Sequence, residues 1–213
     1  MKRKIVERTR PDVPETGADL DAATVAQIGE LADGYVQGGD LSGRKLEKIG
    51  LTCCIVEGVT LAGATVGSTR LRDVRFVRCD FSNARLRGME ANRVEFVDCR
   101  LTGMVATECE WRDVLVSGCE GRYAQWNDGS LKGCEFRDSS LEEADLRGAD
   151  LEGAVFGRTS LRNADMTGAR LMGTDLRGAE TDGFIVGAGD VRGAIVSAAQ
   201  ALELARLLGL VIE

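Results

Sequence analysis

The chain has no histidine among its 213 residues and only two prolines. It therefore lacks the commonest general base and the commonest metal ligand. Aromatic residues are scarce, at 5%. No stretch approaches the ~18 apolar residues of a membrane-spanning helix, so no membrane partner is expected. An excess of positive charge is also missing, because the formal net charge is −7. That balance disfavours a general nucleic-acid or membrane-surface binder, and no direct nucleic-acid contact is expected. Residues Met1 to Arg8 are basic, but no apolar core follows them, so they do not read as a secretory signal. A cytoplasmic protein is the expectation. In that compartment the seven cysteines stay reduced unless they hold a metal or do redox work.

Glycine is abundant, with 27 residues, which points to many tight turns of one type. Their order comes from an internal repeat. Every fifth residue from Leu41 through Leu61, Phe81, Leu101, Trp111, Trp126, Leu141 and Leu161 to Val196 falls in one apolar file. Of its 32 positions only Gly121 and Thr181 are not apolar, and no insertion breaks the phase. The residue two before a centre is most often small, such as Ala84, Ala144, Cys79 or Cys99. The residue two after is Gly, Asn or Asp in 21 of the 32, types that tolerate the positive φ of a tight turn.

A period of five fits neither the 3.6 of a helix nor the 2.0 of a strand. It fits a short extended side followed by a turn, with one large and one small residue inward and three residues outward. Such a chain is a solenoid in which each coil stacks on its neighbours. Ala144-Asp145-Leu146-Arg147-Gly148 and Ala149-Asp150-Leu151-Glu152-Gly153 carry the A-(D/N)-L-x-x pattern, so residues 39–198 resemble the pentapeptide-repeat family. The resemblance implies an all-β solenoid, a right-handed quadrilateral β-helix with 20 residues per coil. Thirty-two pentads then give about eight coils, roughly 38 Å of rod at a ~4.8 Å sheet spacing. Twenty-residue stacking would set Trp111 beside Ala91 and Trp126 beside Ala106, pairing large with small as a core of fixed volume demands.

A solenoid must close its ends. Ser197-Ala198-Ala199-Gln200 is a capping-box signature, and residues 199–213 read as a C-terminal α-helical cap with a tail. Leu202, Leu204, Leu207, Leu208, Leu210, Val211 and Ile212 are too many for one apolar stripe, so one face should meet a second copy. In the branch of the family that acts on topoisomerases such an element makes a twofold dimer, and the resemblance implies a homodimer here. Residues 1–15, ending in Pro11 and Pro14, read as a flexible basic arm. Residues 16–38 read as an N-terminal cap. Val25, Ile28 and Leu31 suit a helix after Asp21, while Ala26, Leu31 and Val36 suit the five-residue phase.

Nothing in the pattern points to catalysis, and neither cofactor nor metal is expected. Six of the seven cysteines occupy the small inward file, where they act as small buried hydrophobes rather than convergent metal ligands. The outward charges are uneven. The side centred on Leu41, Leu61, Phe81, Leu101, Gly121, Leu141, Leu161 and Thr181 carries Asp40, Asp80, Glu120, Glu142, Glu143, Glu180 and Asp182 against Arg100, Arg122 and Arg162, or 3 − 7 = −4. Gyrase-protecting members of the family are held to resemble duplex DNA in shape and charge. The resemblance thus implies DNA gyrase or topoisomerase IV as partner, bound through this acidic side. Duplex DNA would carry roughly 22 charges over ~38 Å, so any mimicry is local. The alternative is a general protein-interaction scaffold.

Overall fold

The computed structural model describes residues 8–14, 18–207 and Val211. Among the described residues ten strands share one sheet, with β6 branching from β5 off the main path: β1 (Ala18–Leu20), β2 (Glu30–Gln37), β3 (Lys45–Glu57), β4 (Thr65–Val77), β5 (Glu90–Val97), β6 (Glu110–Arg112), β7 (Leu115–Ser117), β8 (Glu135–Arg137), β9 (Val155–Ser160) and β10 (Asp175–Glu180). Two helices flank them, α1 (Ala22–Ile28) and α2 (Ala198–Leu207). From β2 to β9 each pair is parallel and offset by twenty residues. Leu51 stands beside Leu71, Phe76 beside Phe96, and Phe136 beside Phe156. Single bridges continue the same offset where strands are too short, as in Asp80 with Arg100 and Asp145 with Asp165. The molecule is a right-handed, four-sided parallel solenoid of about eight coils.

The corners explain the period. At the typical corner the amide three residues after a centre donates to the carbonyl of that centre, as Ala84 N does to Phe81 O. The residue two after the centre is left-handed, for example Asn83 at φ +56°. This is a type II turn. Among the described residues all 15 non-glycine residues with positive φ lie in that one file. At Lys48 and Ser68 the left-handed residue is missing, and β3 and β4 run straight through the corner for 13 residues each.

The core is the two inward files. Trp111 stands directly beside Ala91, and the same register sets Trp126 beside Ala106, so each tryptophan has a small neighbour on one side in its own file. The phenylalanine file Phe76, Phe96, Phe136, Phe156 has Val116 at its middle. The gap is bridged from adjacent sides: Phe96 stacks on Trp111 (5.8 Å), Trp111 meets Trp126 edge-on (5.8 Å), and Trp126 meets Phe136 (5.9 Å). An unbroken aromatic spine therefore runs through the interior.

Residues 18–38 contain both a helix and a strand in phase with the repeat. Asp21 caps α1 by accepting from Thr24 N, and Ala22 and Val25 are buried over the first coil. Next, β2 joins the stack in phase, with Leu31 beside Leu51 and Val36 beside Val56. The twenty-residue register thus extends back to Leu31 in β2.

The expected flexible arm is different in its described part. Residues 8–14 lie along the rod, with Pro11 buried and the Arg8 side chain only 6% exposed. Carboxylates of four different coils hold it there, a placement that no local pattern in the arm encodes.

At the other end the capping box forms. Gln200 N donates to Ser197 Oγ (3.2 Å) and Ser197 N to Gln200 Oε1 (2.9 Å). Gln200 Nε2 then donates to the carbonyls of Leu176 (2.7 Å) and Ala179 (2.9 Å), closing acceptors that the next coil would have used.

Candidate interaction surface

The corner geometry sends three residues of each pentad outward, so residues twenty apart form straight files along the rod. Asp40, Asp80 and Glu120 share one such file, with Thr60 and Arg100 between them. Glu142 and Asp182 stand in the file two residues further round each coil, with Arg122 and Arg162 in the same file; Glu143 lies at the adjoining left-handed corner and Glu180 ends β10. The structure therefore brings all seven carboxylates to one side.

Their charges are partly spent. Arg100 pairs with Asp80 (3.2 Å). Arg122 reaches Glu143 (2.7 Å) and Glu142 (3.7 Å). Arg162 lies between Glu180 (3.3 Å) and Asp182 (3.4 Å). Each arginine serves a neighbouring coil, so the side is a ladder of ion pairs rather than a bare acidic stripe. Burial tends to raise the Asp80 carboxyl, but Ser82 and Arg100 outweigh it and hold the group below its ordinary value. The Arg122 hydrogen bond holds Glu143 low. Asp40 accepts from Ser42 N (2.8 Å). Glu180 and Asp182 are the most open of the paired acids on this side, their side chains 60% and 68% exposed.

The proposed dimer residues divide. Leu202 and Val211 are exposed. Leu204 packs against the core, so it serves the cap. The Leu207 side chain, Leu208, Leu210 and Ile212 lie outside the described residues.

Sequence reasoning missed two features. The first is an open depression of about 1090 Å³ on the side centred on Leu51, Leu71 and Ala91, where β3 and β4 pass through their corners without a tight turn. Its rims carry charges of both signs, including Arg72, Arg112 and Glu110. The second is the seat of residues 8–14. Its sequence signal is an outward apolar residue, Leu115, filed between Glu95 and Glu135.

The cysteines form a ladder of their own. Cys79, Cys99 and Cys119 donate to the carbonyls of Val56, Phe76 and Phe96, and Thr159 Oγ1 continues the file by donating to Phe136 O (3.1 Å). Among the described residues no group of three or more His, Cys, Asp or Glu side chains could hold a metal ion. No helix of the described residues is long and apolar enough to cross a membrane.

A four-sided parallel solenoid with small and large inward files and type II corners defines a class of rods built from five-residue units. The chain belongs to the pentapeptide-repeat family. Residues 69–146 match the model described as "Pentapeptide repeat region" and residues 139–178 match "Pentapeptide repeats (8 copies)". Full-length QnrB1, a plasmid-mediated fluoroquinolone resistance protein, is 20% identical, with 90% of this chain and 95% of that one covered and a TM-score of 0.38. HetL, a pentapeptide-repeat protein involved in heterocyst differentiation regulation in the cyanobacterium Nostoc, is also 20% identical, with 83% and 90% covered and a TM-score of 0.40. No curated protein matches the chain.

Proposed function

We propose that the protein is a non-enzymatic, protein-binding rod and that its acidic side is the contact surface. The observation that supports this reading is the alignment of Asp40, Asp80, Glu120, Glu142, Glu143, Glu180 and Asp182 on one side, interleaved with only three arginines. A rigid file of charges at coil spacing offers a partner a fixed electrostatic ruler, and high salt weakens such binding. Charge reversal of Glu142, Glu143, Glu180 and Asp182 to Lys abolishes partner capture if this side makes the contact. Capture that survives the reversal refutes it.

A second reading makes the partner a type II topoisomerase, with the rod standing in locally for DNA. It is favoured by the gradient of charge along the axis. Residues 120–213 hold 16 acids and 10 bases, or 10 − 16 = −6, nearly the whole net charge of the chain. A homodimer joined at the C-termini, through a surface that includes Leu202 and Val211, would bring two such halves together. A gyrase supercoiling assay, with and without a fluoroquinolone, decides this reading. Inhibition or drug rescue near micromolar protein, lost on the fourfold reversal, supports it. No effect at tens of micromolar removes it and leaves the scaffold.

A further inference from the structure

Residues 8–14 run along a furrow between two outward files. One file is Tyr35, Ile55, Arg75, Glu95, Leu115 and Glu135; the other contains Asp73, Arg93 and Asp113. The path crosses five coil steps, roughly 24 Å at the ~4.8 Å sheet spacing, which suits a seven-residue extended segment.

The anchor is an arginine socket. Arg8 Nη2 donates to Glu95 Oε1 at 2.7 Å, and both side chains are 6% exposed. Arg8 Nη1 reaches the Asp113 carbonyl (3.5 Å), and Arg8 Nε lies 4.0 Å from Glu135. Behind the anchor, Thr9 N donates to Asp113 Oδ1 (3.1 Å), Asp12 N to Asp73 Oδ1 (3.1 Å), and Tyr35 Oη to the Pro14 carbonyl (2.9 Å).

Two details show that this segment is laid onto a finished rod. Between residues 8–14 and the rod, among the described residues, every hydrogen bond uses a side chain on at least one partner; no backbone–backbone bond joins them. Beneath it the ladder of Arg75, Glu95, Leu115 and Glu135 is already complete. The fit is also imperfect, because Arg8 Nε is buried without a hydrogen-bond partner. An arginine fork presents five donors, and a better-placed one would use the second carboxylate fully.

We propose that this furrow is a binding site for an extended, arginine-bearing peptide segment of a partner protein, and that residues 8–14 are its resident, displaceable occupant. The site lies away from the acidic side and goes beyond the reading given above, so each stands or falls alone. Glu95 and Glu135 with the Asp113 carbonyl read the guanidinium; Asp113 and Asp73 take backbone amides of the segment one and four residues further on. The chain's own arm competes at the millimolar effective concentration of a short tether, which keeps weak ligands out.

The test is binding of a synthetic peptide copying residues 8–14 to the full-length protein, followed by calorimetry. Arg8→Ala in the protein vacates the socket, and the peptide then binds about tenfold or more tightly than to the wild type. The double variant Arg8→Ala, Glu95→Gln loses that binding, as does a peptide carrying Arg8→Ala. Absence of binding to the Arg8→Ala protein at millimolar peptide, or binding indifferent to Glu95→Gln, overturns the proposal. Should the variants not fold, amide exchange in the wild type decides. The Thr9 and Asp12 amides of a displaceable segment exchange about tenfold or more faster than rod amides such as Arg100. Equal rates make the segment a fixed part of the fold and overturn the proposal.

Discussion

Gly121 and Leu141 are successive members of one inward file, and a Cβ on Gly121 would lie 2.7 Å from Cδ2 of Leu141 and 3.6 Å from Cη2 of Trp126. The glycine there is a matter of room, not of backbone conformation, since its φ is not positive. It completes the layer in which Ala91 and Ala106 make space for Trp111 and Trp126.

Gly121→Ala should therefore destabilise the rod. Ala at a compatible glycine normally gains about 0.4–1 kcal/mol through the unfolded chain. Overpacking costs about 1–3 kcal/mol, so the steric term wins. Chemical denaturation checks the sign, and an unchanged or raised midpoint contradicts the account.

Trp111→Ala should cost more, about 3–5 kcal/mol, because it empties the middle of the aromatic spine where Val116 leaves no substitute. Near-ultraviolet circular dichroism should fall out of proportion to the loss of one tryptophan, since Phe96 and Trp126 both lose a ring neighbour.

Gln200→Ala should unravel the last coil before the rest. It frees the carbonyls of Leu176 and Ala179 and the amide of Ser197 together. A buried polar group left unpaired costs about 1–3 kcal/mol. Hydrogen exchange should quicken at residues 176–197 while coils near Phe96 stay protected. Uniform quickening would mean that the cap stabilises the whole rod at once.

Thiol titration of the native protein should find at most one slow cysteine. Cys53 is the only one not buried, and burial and the nearby Asp33 and Asp73 raise its pKa. Burial carries Cys109 to about 12 and pushes Cys134 up. The hydrogen bond to Cys119 carries Cys99 to about 12. Cys119 itself is moved down by that bond, but it is sealed in the core. All seven should react after denaturation.

Acid should release the arm. Burial raises the Glu95 carboxyl, yet Arg8 and Arg75 outweigh it and hold it below its ordinary value. The hydrogen bond from Arg93 holds Asp73 low against its own burial, helped by the Asp12 amide and Arg72. With folded values depressed, the contribution is present above the ordinary carboxylate range, about pH 4, and is lost as pH falls through the lowered values. Protection of the Thr9 and Asp12 amides should therefore hold at neutral pH and vanish in acid. Protection that persists after both carboxylates titrate refutes the link.

The rod was legible because its signals are local and repeated. One large and one small residue per pentad, with a turn former after them, fix the corner, the period and the stacking of Trp111 on Ala91. The capping box at Ser197 and Gln200 was legible for the same reason. The seven acids were assigned to one side by counting in twenties. What could not be read was how far their charge is already paired, because Arg122 and Arg162 choose partners by side-chain reach. The seat of Arg8 was invisible too. Its partners stand 87 and 127 residues away, and nothing near Arg8 encodes them.

Nearest-neighbour stacking also sets how the molecule answers tension. A rod peeled from one end should yield coil by coil, each twenty-residue coil releasing roughly 66–72 Å of chain in a staircase of equal steps. Residues 8–14 bridge the coils from Tyr35 to Glu135. A pull on the N-terminus must first tear away this seam, loading its bonds in turn like a zip, and only then reaches the coils beneath.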